Sequence, residues 1–272
     1  MAFLSEDLFE KFRTLVYEAS GISFTETNRA VLESRVKDRL RTRGISTPEE
    51  YYREVSSSEE ELREFLDVVT TNLTRFFRNQ GHWETFRHAV IPDLVERKRA
   101  QGVRSLLVWS AGCSTGEEPY TIAMVLSEHL PPGFSFLVVG SDISLSSLLV
   151  AKEGFYTDAR VEGVPEHYLA KYFEKKENGY RVRDELRTHV QFDYHNLKHQ
   201  SDLRDVDVVF CRNVLIYFDE AAQKATIQGL WNVMAPYSYL FIGHSESLFG
   251  MNTGFEFVKT EWGTVYRKNV AQ

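Results

Sequence analysis

The chain has 272 residues, 43% hydrophobic and 26% charged, a profile that fits one or two folded domains and excludes a disordered or fibrous protein. Its 32 basic and 39 acidic side chains leave a net charge of −7, which argues against bulk nucleic-acid binding while leaving room for a local basic face. The opening MAFLSEDLFEKF has no basic segment followed by an apolar core, and no stretch approaches the roughly 20 apolar residues of a membrane span. With two cysteines, Cys113 and Cys211, that read as free thiols, the expectation is a cytoplasmic protein.

The first 70 residues read as helices. Leu8, Phe12, Leu15, Val16 and Ala19 recur at helical spacing, with Ser5 placed to cap the start and Gly21 the end. A second helix is predicted from about Asn28 to Arg43, stopping at Gly44. Thr47-Pro48-Glu49-Glu50 then supplies an N-cap, a proline at the first helical position and a capping-box glutamate. Ser58-Glu59-Glu60-Glu61 repeats the box before Leu62, Phe65, Leu66 and Val69. Residues 1–70 are therefore expected to form a small all-α domain.

Residues 71–104 read as a linker with connecting helices, which Pro92 is expected to break in two. The linker opens in TTNLTRFFRNQ, too polar for a core helix and too aromatic for an ordinary connection. Its Asn72-Leu73-Thr74 is formally a glycosylation sequon, read as accidental in a chain that is not secreted, and Phe76 and Phe77 read most simply as packing between domains.

From Ser105 the texture changes. SLLVWSAG, FSFLVVGSDIS, VDVVFCRNVLIYF and YSYLFIGHSES are candidate buried strands, with helical stretches between them. That alternation predicts a doubly wound, mainly parallel α/β domain over 105–272, closed by a hairpin in FEFVKTEWGTVYRK. Asn178-Gly179 between alternating segments marks a small antiparallel β insertion at about 168–190.

Ligands of such sheets bind beyond the carboxyl ends of the strands. The first end, SAGCSTGEEPY, is neither GxGxxG nor a P-loop. Glu117 and Glu118 stand where a helix start would otherwise cradle phosphate, so they disfavour a pyrophosphate and favour a cation or free amine, unless they only complement the helix dipole. Asp142 ends the second strand, where an acidic residue accepts from ribose hydroxyls or caps the next helix. Together these features describe a nucleoside without phosphates but with a positive group, and S-adenosylmethionine is such a molecule. Arg212 and Asn213 follow a buried apolar run and need partners, either a salt bridge or a ligand. Asn196 is open between a turn role and a nucleoside contact.

TTNLTRFFR, SAGCSTGEEPYTIAM, SDIS, CRNVLIYFD and FIGHSES, in this order and spacing, resemble the chemotaxis-receptor glutamate methyltransferases, the CheR family, over nearly the whole chain. The resemblance implies an S-adenosylmethionine-dependent enzyme that esterifies glutamate side chains on the cytoplasmic part of methyl-accepting chemoreceptors. Carried over residue by residue, it implies cofactor contacts from Asn72, Thr74, Arg78, Glu118, Asp142, Asn196, Leu197, Arg212 and Asn213, with Arg78 and Tyr217 nearest the reacting methyl. A glutamate is already ionised at neutral pH, so the missing Ser/His/Asp triad and metal cluster are consistent with that chemistry.

The helix RAVLESRVKDRLRTR carries six basic residues against two acidic, with Arg35, Arg39 and Arg43 along one edge. It reads either as a solvated face or, as the resemblance implies, as the receptor-docking helix. His195 and His199 lack a third ligand nearby and are not read as a metal site. The short insertion resembles that of family members that act without a receptor tether peptide, and a monomer is the default. Two other functions stay open: a methyltransferase for a small molecule or nucleic acid, disfavoured by the net charge and the missing NPPY-type motif, and a non-catalytic adaptor, disfavoured by intact Arg78, Glu118, Asp142 and Tyr217.

Overall fold

Ser5 accepts from the Leu8 amide and Gly21 takes up φ 78°, so the first periodic stretch folds as helix α1 (Glu6–Ser20) between a side-chain cap and a left-handed stop. In the computed structural model, which describes residues 3–70 and 72–270, three more helices follow: α2 (Arg29–Arg43), α3 (Pro48–Ser57) and α4 (Glu59–Val69). Thr47 and Ser58 cap α3 and α4 through their hydroxyls. The Ser58 box closes on one side only, because the Glu61 carboxylate turns inward to a buried arginine, Arg39. Phe12 sits at the centre of the helices, with its ring against Tyr51, Tyr52 and Phe65.

The helical residues form one of two units, and that unit also takes in Ile216–Gln223 from far along the chain. Ile22 bridges to Phe218 and the Ser23 amide donates to the Tyr217 carbonyl at 2.8 Å. Local periodicity gives no sign of such a distant recruit.

The second unit begins with α5 (Gln80–Thr85) and α6 (Ile91–Ala100). Pro92 does not divide this stretch. Residues Phe86–Val90 widen into a π turn, the Ile91 amide reaches back to Phe86, and Pro92 falls in the first turn of α6, so the helix runs on through it. The alternating elements follow: β1 (Ser105–Ala111), α7 (Glu117–His129), β2 (Ser135–Asp142), α8 (Leu145–Glu153), β3 (Phe155–Tyr156), α9 (Asp158–Val161), α10 (Glu166–Tyr172), β4 (Phe173–Lys176), β5 (Gly179–Val182), α11 (Asp184–Arg187) and β6 (Val190–Tyr194). β7 (Val206–Cys211), α12 (Glu220–Val233), β8 (Met234–Ile242), β9 (Glu256–Lys259) and β10 (Thr264–Asn269) complete the chain.

The main sheet has seven strands in the order β6-β2-β1-β7-β8-β10-β9. The first five are parallel; β10 and β9 form the antiparallel closing hairpin. Strand order reverses between β1 and β7, the switch point at which such sheets open a crevice. Beneath it lies an aromatic core in which Phe210 stacks on Phe241 at 4.5 Å and Trp83 and Phe86 close over Phe210. Each such ring contributes about 2 kcal/mol through removal from water.

The insertion is larger than the hairpin expected at about 168–190: a three-stranded sheet ordered β3-β5-β4 that reaches back to Phe155. Its tight turn is Glu177-Asn178, and Gly179 is the first residue of β5, where a side chain would run into the Tyr156 carbonyl. Phe76 and Phe77 pack within this unit, Phe76 edge-on to Tyr156 and Phe173, and Phe77 against Tyr168 and Trp83.

Candidate cofactor-binding site

The turn after β1 is strained before it meets any ligand. Gly112, Ser114 and Gly116 have φ of 81°, 50° and 93°, and a left-handed serine costs about 1–2 kcal/mol. The loop is held down by neighbours. The Gly112 and Cys113 amides donate to the Ser141 carbonyl, and the Ser114 amide donates to Asp142 Oδ2 at 2.7 Å. The second Asp142 oxygen accepts from the Ser144 amide at 2.9 Å, while Ser144 caps α8. Capping is therefore done by Ser144, and Asp142 ties two loops together. Asn72 joins the group by donating to Ser144 Oγ at 3.3 Å.

A second cluster sits at the ends of β1 and β7. Glu118, in the first turn of α7, accepts from Ser110 Oγ at 2.7 Å and from Arg212 Nη1 at 3.0 Å. Arg212 also donates through Nη2 to the Arg78 carbonyl at 2.6 Å, and its guanidinium lies 5.3 Å from the Trp83 ring centre. Burial pushes the Glu118 carboxyl above its ordinary value, and Arg212 pulls it back. Burial likewise lowers Arg212, with Glu118 opposing. The pair is ionic but incomplete: Arg212 Nε, Asn213 Oδ1 and Ser114 Oγ are buried without a hydrogen-bond partner. Asn213 is itself left-handed, at φ 60°, and its amide donates to Glu246 Oε2 at 3.0 Å.

Glu117 behaves differently from its neighbour. Its carboxylate is fully buried and accepts from Thr115 Oγ and Arg160 Nη1, each at 2.7 Å. The sequence treats the two glutamates alike, but only Glu118 faces the strand ends. Asn196 follows β6; its side chain accepts from the Lys198 amide at 3.0 Å, and the preceding His195 amide donates to the Asp142 carbonyl. Thr74 and Leu197 are half-buried in the same two segments. The Arg78 side chain donates to the Leu73 carbonyl at 3.1 Å, folding the 72–79 segment on itself.

All nine expected cofactor contacts thus fall within one unit, at strand ends or in the segment leading into them; the Asn72–Ser144–Asp142 and Arg78–Arg212–Glu118 chains tie five of them, and Thr74 lies between the first members of those chains. Tyr217 is carried in a short 3-10 turn, Leu215–Tyr217, and is grouped with the helical unit. Arg39 departs from the expected docking edge. It is buried and donates to both oxygens of Glu61, at 2.9 and 2.7 Å, because Glu61 and Tyr51 supply a polar niche inside the helices. Arg43 is exposed and bonded to Glu54; Arg35 is half-buried. Sequence reasoning assigned no role to Ser110, Ser144 or Glu246, although Glu246 lies in FIGHSES, four residues past the end of β8.

The residue set fits S-adenosylmethionine: a buried carboxylate for an ammonium group, a second for hydroxyls, and orphaned buried polar atoms around them. Comparison with known proteins points the same way. A family model described as "CheR methyltransferase, SAM binding domain" matches residues 72–264, and one described as "CheR methyltransferase, all-alpha domain" matches residues 7–70. The chain is 33% identical to a chemotaxis protein methyltransferase of Borreliella burgdorferi, over 98% of this chain and 95% of the relative. It is 32% identical to chemotaxis protein methyltransferase 2 of Vibrio cholerae, over 96% and 92%. To the chemotaxis protein methyltransferase of Escherichia coli it is 34% identical, over 90% and 85%.

Proposed function

We propose that this chain, which belongs to the CheR family of S-adenosylmethionine-dependent methyltransferases, methylates glutamate side chains on the cytoplasmic part of a methyl-accepting chemoreceptor. Methyl transfer in chemotaxis is the family's activity, and receptor glutamates are its known target. The observation that carries the reading is the buried Glu118–Arg212 pair at the switch point, a carboxylate where a phosphate-binding enzyme keeps bare amides.

When bound, S-adenosylmethionine supplies an activated methyl group. Glu118 holds the ammonium end, with Ser110 and Arg212 fixing its direction. Asp142 accepts from ribose hydroxyls, Asn196 and Leu197 border the adenine, and Asn72, Thr74, Arg212 and Asn213 complete the pocket. An acceptor glutamate, with an ordinary pKa near 4.3, is ionised and needs no base. Arg78, with one of its five N–H groups on Leu73, has others for the acceptor carboxylate; the part of a second donor falls to the Tyr217 hydroxyl by the family resemblance alone. Positioning and electrostatics then account for the catalysis.

The domain roles follow as part of the same proposal: residues 1–70 for receptor docking, 71–104 for connection, 105–272 for methyl transfer. Docking on α2 rests on Arg35 and Arg43, with Arg39 committed internally and Arg41 out in solvent. Among the described residues no helix is long and apolar enough to cross a membrane. Action on the cytoplasmic side, as a monomer, belongs to the same proposal, as does independence of a tether peptide, with which the short β4–β5 turn accords.

The test is transfer of labelled methyl to a purified receptor cytoplasmic fragment, scored as base-released methanol. Base-labile label on the fragment is the expected result. Base-stable label would sink the ester reading, and cofactor binding without transfer to any receptor fragment would favour an adaptor.

A further inference from the structure

The turn after β1 has two halves held by different parts of the unit. Ser141 and Asp142, at the end of β2, fix Gly112 to Ser114. The other half, Thr115 to Glu117, is fixed by the insertion. Tyr156 of β3 donates its hydroxyl to the Thr115 carbonyl at 2.7 Å. Arg160 of α9 donates through one nitrogen, Nη1, to Thr115 Oγ and to Glu117 Oε1, both at 2.7 Å. Gly116 lies so close that an added Cβ would stand 2.7 Å from that of Ala151 and 2.9 Å from the Tyr156 hydroxyl. Glu117 is fully buried, whereas the Arg160 side chain is 43% exposed. Such an arginine adds little to the core, yet it answers the charge of a carboxylate that adjoins the cofactor-facing Glu118.

We propose that Arg160 is a positioning residue for the cofactor: from the insertion it clamps Thr115 and Glu117, and so sets the direction in which Glu118 faces the ammonium group. The β insertion thereby acts on cofactor affinity through the loop. The clamp continues outward, since Asp158 of α9 pairs with Lys175 on β4. The inference rests on the reading of the 112–118 loop as the cofactor site.

The test is calorimetric titration of the purified full chain with S-adenosylhomocysteine, alongside thermal melting without ligand. Arg160→Gln is expected to weaken binding roughly tenfold; it also lowers the ligand-free melting temperature, since the buried Glu117 loses its cation, but the transition stays single and sharp. Because both bonds leave a single nitrogen, Arg160→Lys is expected to recover much of the loss. In Glu117→Gln the further change Arg160→Gln is expected to matter less, since the charge it answers is gone. Unchanged affinity in Arg160→Gln overturns the proposal, as does a loss of affinity accompanied by a broad, non-cooperative melt or left unrescued by lysine. If the unaltered protein fails to bind, the loop reading falls with it; normal binding by the unaltered protein and the glutamine variant alike defeats the positioning role alone.

Discussion

Two buried arginine–glutamate pairs serve different ends. In the helical unit Arg39 meets Glu61 with two parallel bonds, and Tyr51 donates to the same carboxylate at 2.8 Å. The bonds to Glu61 outweigh burial, and the Arg39 pKa is raised. In the α/β unit Arg212 meets Glu118 through one nitrogen, burial prevails, and its pKa is lowered. Its Nε and the neighbouring Asn213 Oδ1 are left without partners. A closed pair, with its polar atoms answered from within, ties helices together. An open pair at strand ends carries an unmet demand, and in the proposed function that demand falls to the cofactor.

The largest expected effect is at the open pair. Arg212→Ala strands Glu118 in a buried site, at a cost of about 3–5 kcal/mol in urea unfolding, and raises the Kd for S-adenosylhomocysteine by roughly a hundredfold or more. Retained affinity would erase the distinction between the pairs. Arg39→Ala is expected to cost a similar stability, about 3 kcal/mol, but to leave cofactor affinity within roughly twofold. Replacing both Arg39 and Glu61 with apolar residues of like volume should restore most of that stability, while no apolar replacement of Arg212 and Glu118 restores binding.

The smallest effect concerns pH. All eight histidines lie outside the helical unit. Among them His82 is driven by burial, and then by Arg212 and His244, down to about 4. Its folded-state value lies below the ordinary 6.5, so the unfolded chain binds the proton first. Stability is full above 6.5 and falls as pH drops toward 4, by about 2–3 kcal/mol from this group. His82→Gln is expected to flatten that part of the urea-midpoint profile. An unchanged acid limb would place the loss elsewhere.

Most of this architecture was legible because its signals are local. Ser5, Thr47 and Ser58 are read as caps and act as caps, and the apolar runs are the central strands. What escaped reading depends on distant partners. Glu61 has the spacing of a capping box but answers Arg39, 22 positions away. Pro92 is a helix breaker by rule, yet the π turn before it absorbs the misfit. Glu117 and Glu118 are indistinguishable in the sequence, and only Arg160 and Arg212, on separate elements, tell them apart. The strand-end rule found the loops of the site, while the serines that brace those loops, Ser110 and Ser144, carry no motif of their own.

The helical unit is finished by Ile216–Gln223, a strip made long after its helices. During synthesis at about 5–20 residues per second, the N-terminal helices wait on the order of ten seconds or more for that strip to emerge. Until then Ile22 and Ser23 lack their backbone partners, Phe218 and Tyr217, and a fragment ending near residue 70 lacks them permanently. Such a fragment is therefore a poor surrogate for the helical unit, and a split of this enzyme into two expressed pieces has to carry the 216–223 strip with the first.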